Sequence, residues 1–172
     1  MPKEGHAASS LLDQVVLLAS DQDADLPKVE SILRMLIAMG IDVNVKSDTH
    51  SGQTALHLAI AVTRQPVPFV RMLIDAGANV NARDDEGMTP LHFTAASMRL
   101  ATARLLLEAG ADASMTNNAG KKPVDLMGWV SEMPENEELS DEERQTGKEG
   151  REMVEFLRKA EQEHKDAALL LR

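Results

Sequence analysis

Apolar residues along this chain fall three and four apart in short bursts, and several of the bursts stop at a glycine. Leu11, Leu12, Val15, Val16 and Leu18 make the first burst; Val29, Ile32, Leu33, Leu36 and Ile37 make the second, which ends at Gly40. That spacing puts the apolar side chains on one face of a helix. Residues 1–8 read as a loose terminus, Ser9 and Ser10 as the cap of the first helix, and Pro27 as the opening of the second. The polar run Asp21 to Asp25 separates the two.

The same grammar then repeats with recognisable wording. Gly52-Gln53-Thr54-Ala55-Leu56-His57 opens one unit, and Gly87-Met88-Thr89-Pro90-Leu91-His92 opens the next. Met72-Leu73-Ile74-Asp75-Ala76-Gly77-Ala78-Asn79 closes the first, and Leu105-Leu106-Leu107-Glu108-Ala109-Gly110-Ala111-Asp112 closes the second. Gly77 and Gly110 stand 33 residues apart, as do Gly87 and Gly120. Thr at the cap offers its hydroxyl to unpaired N–H groups of the first turn, and Pro after it loses no needed donor. Glycine at the far end suits a left-handed cap.

A 33-residue period with this wording resembles the ankyrin repeat. The resemblance implies an all-α solenoid of about four helix–turn–helix repeats joined by hairpin loops, with atypical end repeats. One domain over 1–172 divides into repeats 9–44, 45–81, 82–114 and 115–172. A single such unit cannot bury its apolar face alone, so stacked neighbours share one core. The first unit lacks the Thr-Pro-Leu-His wording, and the last carries Lys122-Pro123-Val124-Asp125 in its place. Against the family, His57 and His92 read as structural, each bonding backbone around its turn.

Three irregularities stand against the period. Gly40 to Gly77 is 37 residues, four more than the unit. Two of these lie before Gly52, in the first hairpin loop; the other two are expected in the inter-helix turn around Gln65-Pro66-Val67-Pro68. Met98 stands where the family places a turn glycine, so a rearranged turn is expected rather than a strained left-handed Met. In the last repeat, helix A is expected to end near Val130, and an acidic insert over 131–149 delays the second helix until Arg151. Residues 131–150 hold eight carboxylates against Arg144 and Lys148, and few apolar groups. A mobile loop, nicked first by protease, is the expectation there. Leu169-Leu170-Leu171 are expected to pack back on the last repeat, against the alternatives of covering its open end or forming an exposed partner-binding tip.

Composition narrows the function. Apolar residues make up 43% of the chain, with only Phe69, Phe93, Trp129 and Phe156 aromatic, a core suited to close-packed small helices. There is no cysteine, which excludes thiolate catalysis and cysteine zinc sites and fits a cytoplasmic or nuclear protein. The start has no signal-peptide run, and no stretch of about 18 apolar residues exists to span a membrane. A net charge of −10 argues against nucleic-acid binding. His6, His50, His57, His92 and His164 form no metal spacing, and no phosphate loop is present. No enzyme, metal or cofactor is expected.

Binding remains, and the resemblance says where: the hairpin tips and exposed sides of the first helices, which form a concave groove in the family. Carried onto this chain, the partner-binding residues are Thr49, His50, Gln53, Val62, Asp85, Glu86, Met88, Ser97, Asn118, Lys121 and Trp129. Each is read alternatively as plain solvated surface. Trp129 is either a binding anchor or packing for the C-terminal helix. The implied function is protein recognition as an adaptor, scaffold or regulatory subunit, monomeric on its own, with a partner carrying a basic segment. The runner-up is a dedicated escort of a basic client such as a ribosomal protein or histone. The family also implies asparagine hydroxylation as a reading of Asn44 and Asn81, against a purely structural role across the hairpin. Ser140-Asp141-Glu142-Glu143 resembles an acidophilic kinase site, against a solvated face.

Overall fold

The computed structural model describes residues 4–21, 23–63, 65–132 and 140–170, with their side chains except those of 4–10 and 131. Among the described residues there are seven α-helices and one 3-10 helix, and no strand. The helices are α1 (Glu4–Leu18), α2 (Leu26–Ala38), α3 (Ala55–Val62), α4 (Pro66–Asp75), α5 (Pro90–Ala96), α6 (Leu100–Glu108), the 3-10 helix (Pro123–Glu132) and α7 (Asp141–Leu170). They pair as α1/α2, α3/α4, α5/α6 and 3-10 helix/α7. The first members α1, α3, α5 and the 3-10 helix touch in sequence and form one row; α4, α6 and α7 form the second. This is the expected ankyrin solenoid. One core runs through it, from Leu12 and Val16 through Leu58, Leu73 and Leu106 to Met127, Met153 and Leu157.

The Thr-Pro-Leu-His wording builds its helix starts by a reciprocal cap. The Nδ1 of His92 accepts from the Thr89 N–H at 3.1 Å and lies 2.8 Å from the Thr89 hydroxyl. His57 and Thr54 repeat the arrangement at 3.2 and 2.9 Å. In the last repeat Asp125 takes the histidine's place, accepting from the Lys122 N–H at 2.8 Å. The role survives a change of residue because it needs only an acceptor three positions into the helix.

The structure departs from the sequence expectations at five places. The first helix starts at Glu4, so Ser9 and Ser10 lie inside it rather than at its start. The two extra residues assigned to the α3–α4 turn are absorbed by the helices: α3 has 8 residues against 7 in α5, and α4 has 10 against 9 in α6. Met98 does take the left-handed conformation, at φ 53°. Bonds from Met98 N to Ala95 O and from Arg99 N to Thr94 O close α5 around it and hold it there.

The largest departure is α7, which begins at Asp141 rather than Arg151 and so turns residues 141–149 from loop into helix. Ser140 caps it: its N–H and hydroxyl both donate to Glu143 Oε2 at 2.8 Å, and the Glu143 N–H donates back at 3.3 Å. These bonds hold the Glu143 carboxyl below the usual carboxylate range. Asp141, Glu142 and Glu143 also sit at the positive end of the helix dipole. The remainder of the expected loop, 133–139, lies outside the described residues. At the other end Leu169 and Leu170 are 67% and 87% exposed and do not pack back, because α7 runs straight past the last repeat; Leu171 lies outside the described residues.

Contacts at Gly150 and Glu161 help dock α7. Gly147 and Gly150 are buried, and a Cβ on Gly150 would stand 3.0 and 3.2 Å from the methyls of Val130. Glu161, nearly buried, accepts from Lys122 Nζ at 2.7 Å and Lys165 Nζ at 2.6 Å. The Lys122 bond, then the Lys165 bond, hold its carboxyl below the usual range. Gly150→Val is therefore expected to push α7 off the 3-10 helix and cost about 1–3 kcal/mol by overpacking. The check is the urea midpoint beside Gly128→Ala, whose added carbon meets nothing within 4 Å and should leave the midpoint in place.

Candidate functional site: the hairpin tips

Each repeat boundary ends in a tight hairpin, and three of them share one bonding plan. Ser47 N bonds Gln53 O, Asp84 N bonds Met88 O, and Asn117 N bonds Lys121 O, at 2.8, 3.0 and 2.8 Å. The first loop is two residues longer, as expected, and Ser51 absorbs the excess at φ 49°. The tips are then tied to one another. Asp85 N donates to Ser51 O and Asn118 N to Glu86 O, each at 2.9 Å. Asn118 Nδ2 donates to Asp85 O at 2.9 Å, and Arg83 reaches across to Thr116 O at 2.6 Å.

Close approach between tips explains two glycines. A Cβ on Gly52 would meet Asp85 Oδ1 at 2.2 Å, and one on Gly87 would meet Asn118 Oδ1 at 2.4 Å and its backbone N at 2.9 Å. Both glycines also have φ near +70°, at 68° and 75°.

The histidines fasten the platform from below. His57 Nε2 lies 3.1 Å from Met88 O, and His92 Nε2 lies 2.9 Å from Lys121 O. A carbonyl only accepts, so Nε2 carries the proton; Nδ1 faces the cap N–H, so it carries the lone pair. Both rings are therefore neutral, and burial, against the pull of those carbonyls, pushes their pKa values below the ordinary 6.5. This is the structural role expected of them.

A second set of bonds runs below the tips. Asn44 Nδ2 donates to Gly77 O at 3.0 Å and its Oδ1 accepts from Asn79 N at 2.7 Å. Asn81 repeats the pair with Gly110 O and Asp112 N at 3.1 and 2.8 Å. Each asparagine thus stitches the end of one outer helix to the next, the structural role weighed for both.

The candidate binding residues divide into three groups. On the tips, Asp85, Glu86, Asn118 and Lys121 are exposed, and Met88 and Gln53 half-buried. Exposed Thr49 and half-buried His50 join a small hydrogen-bond network at the first tip. His50 Nδ1 lies 2.9 Å from Thr49 Oγ1 and 3.1 Å from Ser47 Oγ, and Ser47 donates to buried Asp13 at 2.6 Å. On the first helices, Val62 ends α3 half-buried, and Ser97 spends its hydroxyl on Phe93 O. Trp129 is 43% exposed, and α7 leaves it so.

Sequence reasoning missed Arg83 and the turn-building role of Asp84. Arg83 is the bridge between tips, and Asp84, 6% exposed, accepts from Glu86 N and Met88 N at 3.0 and 2.8 Å. Three acidic residues in a row gave no signal that the first one builds the turn on which the other two stand.

Among the described residues, no group of three or more His, Cys, Asp or Glu is placed to hold a metal ion. No helix among them is long and apolar enough to cross a membrane.

A helix-pair stack with tied hairpin tips defines a repeat-protein scaffold, and comparison with known proteins says which one. The profile for ankyrin repeats in three copies matches residues 16–117, and the chain belongs to the ankyrin-repeat family. Ankyrin repeats are protein–protein interaction modules, typically without catalysis. The chain is similar to the human protein phosphatase 1 regulatory subunit 27, 31% identical over 67% of this chain and 70% of that protein. It is similar to the chicken nuclear factor NF-kappa-B p105 subunit, 39% identical over 51% of this chain but 9% of that protein. It also resembles the Arabidopsis thaliana E3 ubiquitin-protein ligase KEG, 31% identical over 59% of this chain and 6% of that protein. The last two relatives are thus matched over a tenth or less of their own length.

Proposed function

We propose that this chain is an adaptor or regulatory subunit that grips a protein partner along its hairpin tips and the exposed ends of its first helices. The observation that carries the reading is the tying of the tips. Asp85 and Glu86 stand exposed on loops whose backbone is bonded on both sides, to Ser51 and to Asn118. A pre-organised surface loses little entropy on binding. Two carboxylates beside Met88, with Trp129 one repeat further along, suit a partner segment carrying Lys or Arg near an aliphatic or aromatic residue. The human relative named as a regulatory subunit, matched over most of its length, supports the same reading.

An escort for a strongly basic client is the second reading. It rests on the net charge of −10 and on the exposed Asp141, Glu142 and Glu149 of α7. Affinity capture separates the two: a single basic protein supports the escort, a multi-subunit complex the adaptor.

Charge and anchor should fail differently once the partner is in hand. Asp85→Lys with Glu86→Lys is expected mainly to slow association and flatten its salt dependence. Trp129→Ala is expected mainly to speed dissociation, at a cost of about 2 kcal/mol or more. Titration at two salt concentrations checks both. Unchanged affinity in both variants moves the site off the tips.

A further inference from the structure

The two ends of the helix stack each leave a core position uncovered. Met35, Met72 and Leu105 stand five residues before Gly40, Gly77 and Gly110. Met72 and Leu105 are 8% and 6% exposed, whereas Met35 is 64% exposed. In α7 the corresponding residue is Phe156, whose ring lies 4.4 Å beneath the Arg104 guanidinium of α6. This position therefore faces the preceding repeat, and among the described residues no repeat packs on Met35 from that side. Eight residues before the same glycines, Phe69 and Thr102 are 1% exposed while Ile32 is 41% exposed. Met39, 73% exposed, extends the stripe, since 32, 35 and 39 share one helix face. End repeats ordinarily turn a polar side outward; this one turns out an apolar stripe.

The opposite end has the matching surface. Leu33, Val70 and Ala103, seven residues before the glycines, are all 0% exposed. Val154 holds that place in α7 and is only half-buried. Gly150 and Leu157 of α7 are buried against the stack, and Glu152 and Phe156 turn to Arg104 of α6. The side left over lines an open depression of about 1040 Å³ between α7 and the 3-10 helix. Val124, Val130 and Val154 give it an apolar lining, and Lys121, Arg151 and Arg158 stand on its rim. Asp125 and Glu155 also reach it, while Glu161 is engaged by Lys122 and Lys165.

We propose that a second copy of this chain docks there head to tail, its α2 stripe of Ile32, Met35 and Met39 filling the depression and continuing the stack. Register chooses this occupant: within the chain, a residue of the Met35 type is buried on a surface of the Val154 type. Charge agrees with it. The α1–α2 connection carries Asp21, Asp23 and Asp25. Inter-helix turns line one edge of the stack, where Arg99 of one turn donates to Thr63 O of the previous one at 2.9 Å. An added copy brings its acidic turn to the edge where Arg151 stands. This contact lies away from the hairpin tips, so its failure leaves the proposed partner site untouched. It replaces the expectation of a lone monomer.

Sedimentation velocity of the purified chain, up to about 1 mM where weak specific contacts are populated, tests it. The wild type is expected to gain mass with concentration in steps of one chain, because a head-to-tail contact leaves each added copy with an open face until a ring closes. Met35→Glu with Met39→Glu removes one face; Val154→Glu with Arg158→Glu removes the other. Arg158→Glu alone is the milder variant should the pair disturb folding by circular dichroism. Each double variant alone is expected to associate at least tenfold more weakly. An equimolar mixture of the two is expected to form a one-to-one pair and stop there. A wild type that stays monomeric overturns the proposal. So does a Val154/Arg158 variant that associates like the wild type, which indicates contact between two α2 faces or through the exposed Leu169–Leu170 tip. A mixture that stays monomeric overturns it as well.

Discussion

Leu106→Ala is expected to cost about 2–5 kcal/mol of folding stability, the range for truncating a fully buried leucine. Leu106 is 0% exposed, in the middle of α6, with α4 on one side and α7 on the other. A close-packed stack of short helices has little freedom to collapse into the gap. Repeats couple only to their neighbours, so the loss is shared by the units on both sides. Denaturant unfolding followed by circular dichroism should show a lower midpoint for the whole transition, not the early loss of one quarter of the helix signal. A shift below about 0.5 kcal/mol, the scale of surface substitutions, contradicts the register.

His92→Ala is the second large effect, expected at roughly 3 kcal/mol from unpaired groups and a cavity together. The ring is 0% exposed, and its loss strands the Thr89 N–H and the Lys121 carbonyl. The same neutral ring makes stability depend on pH. His57 and His92 have folded pKa values lowered from 6.5, so the unfolded chain takes up protons first as pH falls. Their contribution is whole above pH 6.5 and declines below it, toward the lowered folded values, at up to about 1.4 kcal/mol per pH unit for each ring. Carboxylates such as Glu161 begin to lose their contribution only below their ordinary 4.5, so the histidines open the decline. Urea melts between about pH 7.5 and 5 read the slope. Nitrogen chemical shifts of the two rings should report the Nε2–H tautomer at pH 7.5. A protonated ring in the folded chain at that pH contradicts the assignment.

Much of the fold was legible because ankyrin chemistry is local. Thr89-Pro90-Leu91-His92 specifies a cap, a helix start and an acceptor within four residues, and Gly77 and Gly110 mark the ends. What was misread depends on tertiary contacts or on which of two elements absorbs a given length. The spacing of Gly52 and Gly77 showed two extra residues but not that α3 and α4 each lengthen by one. Met98 looked unfit for positive φ on local grounds, yet two backbone bonds pin the turn around it. Residues 141–149 looked too charged to order; Ser140 and Glu143 cap them, and Gly147 and Gly150 let the helix lie close against the stack. Of the candidate site, the tip residues were legible from their place beside the tip glycines. The Arg83 bridge was not, because it joins hairpins that sequence does not place side by side; the Asp84 turn was not, because a run of three acids does not mark which one folds back on its own loop.

The central claim is that partners are held by the tips, and capture with paired variants tests it most directly. Wild-type chain, the Asp85→Lys/Glu86→Lys/Trp129→Ala variant and an outer-helix control, Arg71→Glu, are compared under identical salt, all three first matched for helicity. The account predicts that a protein retained by the wild type is retained by the Arg71 control and lost from the tip variant. Retention by the tip variant at the wild-type level contradicts it.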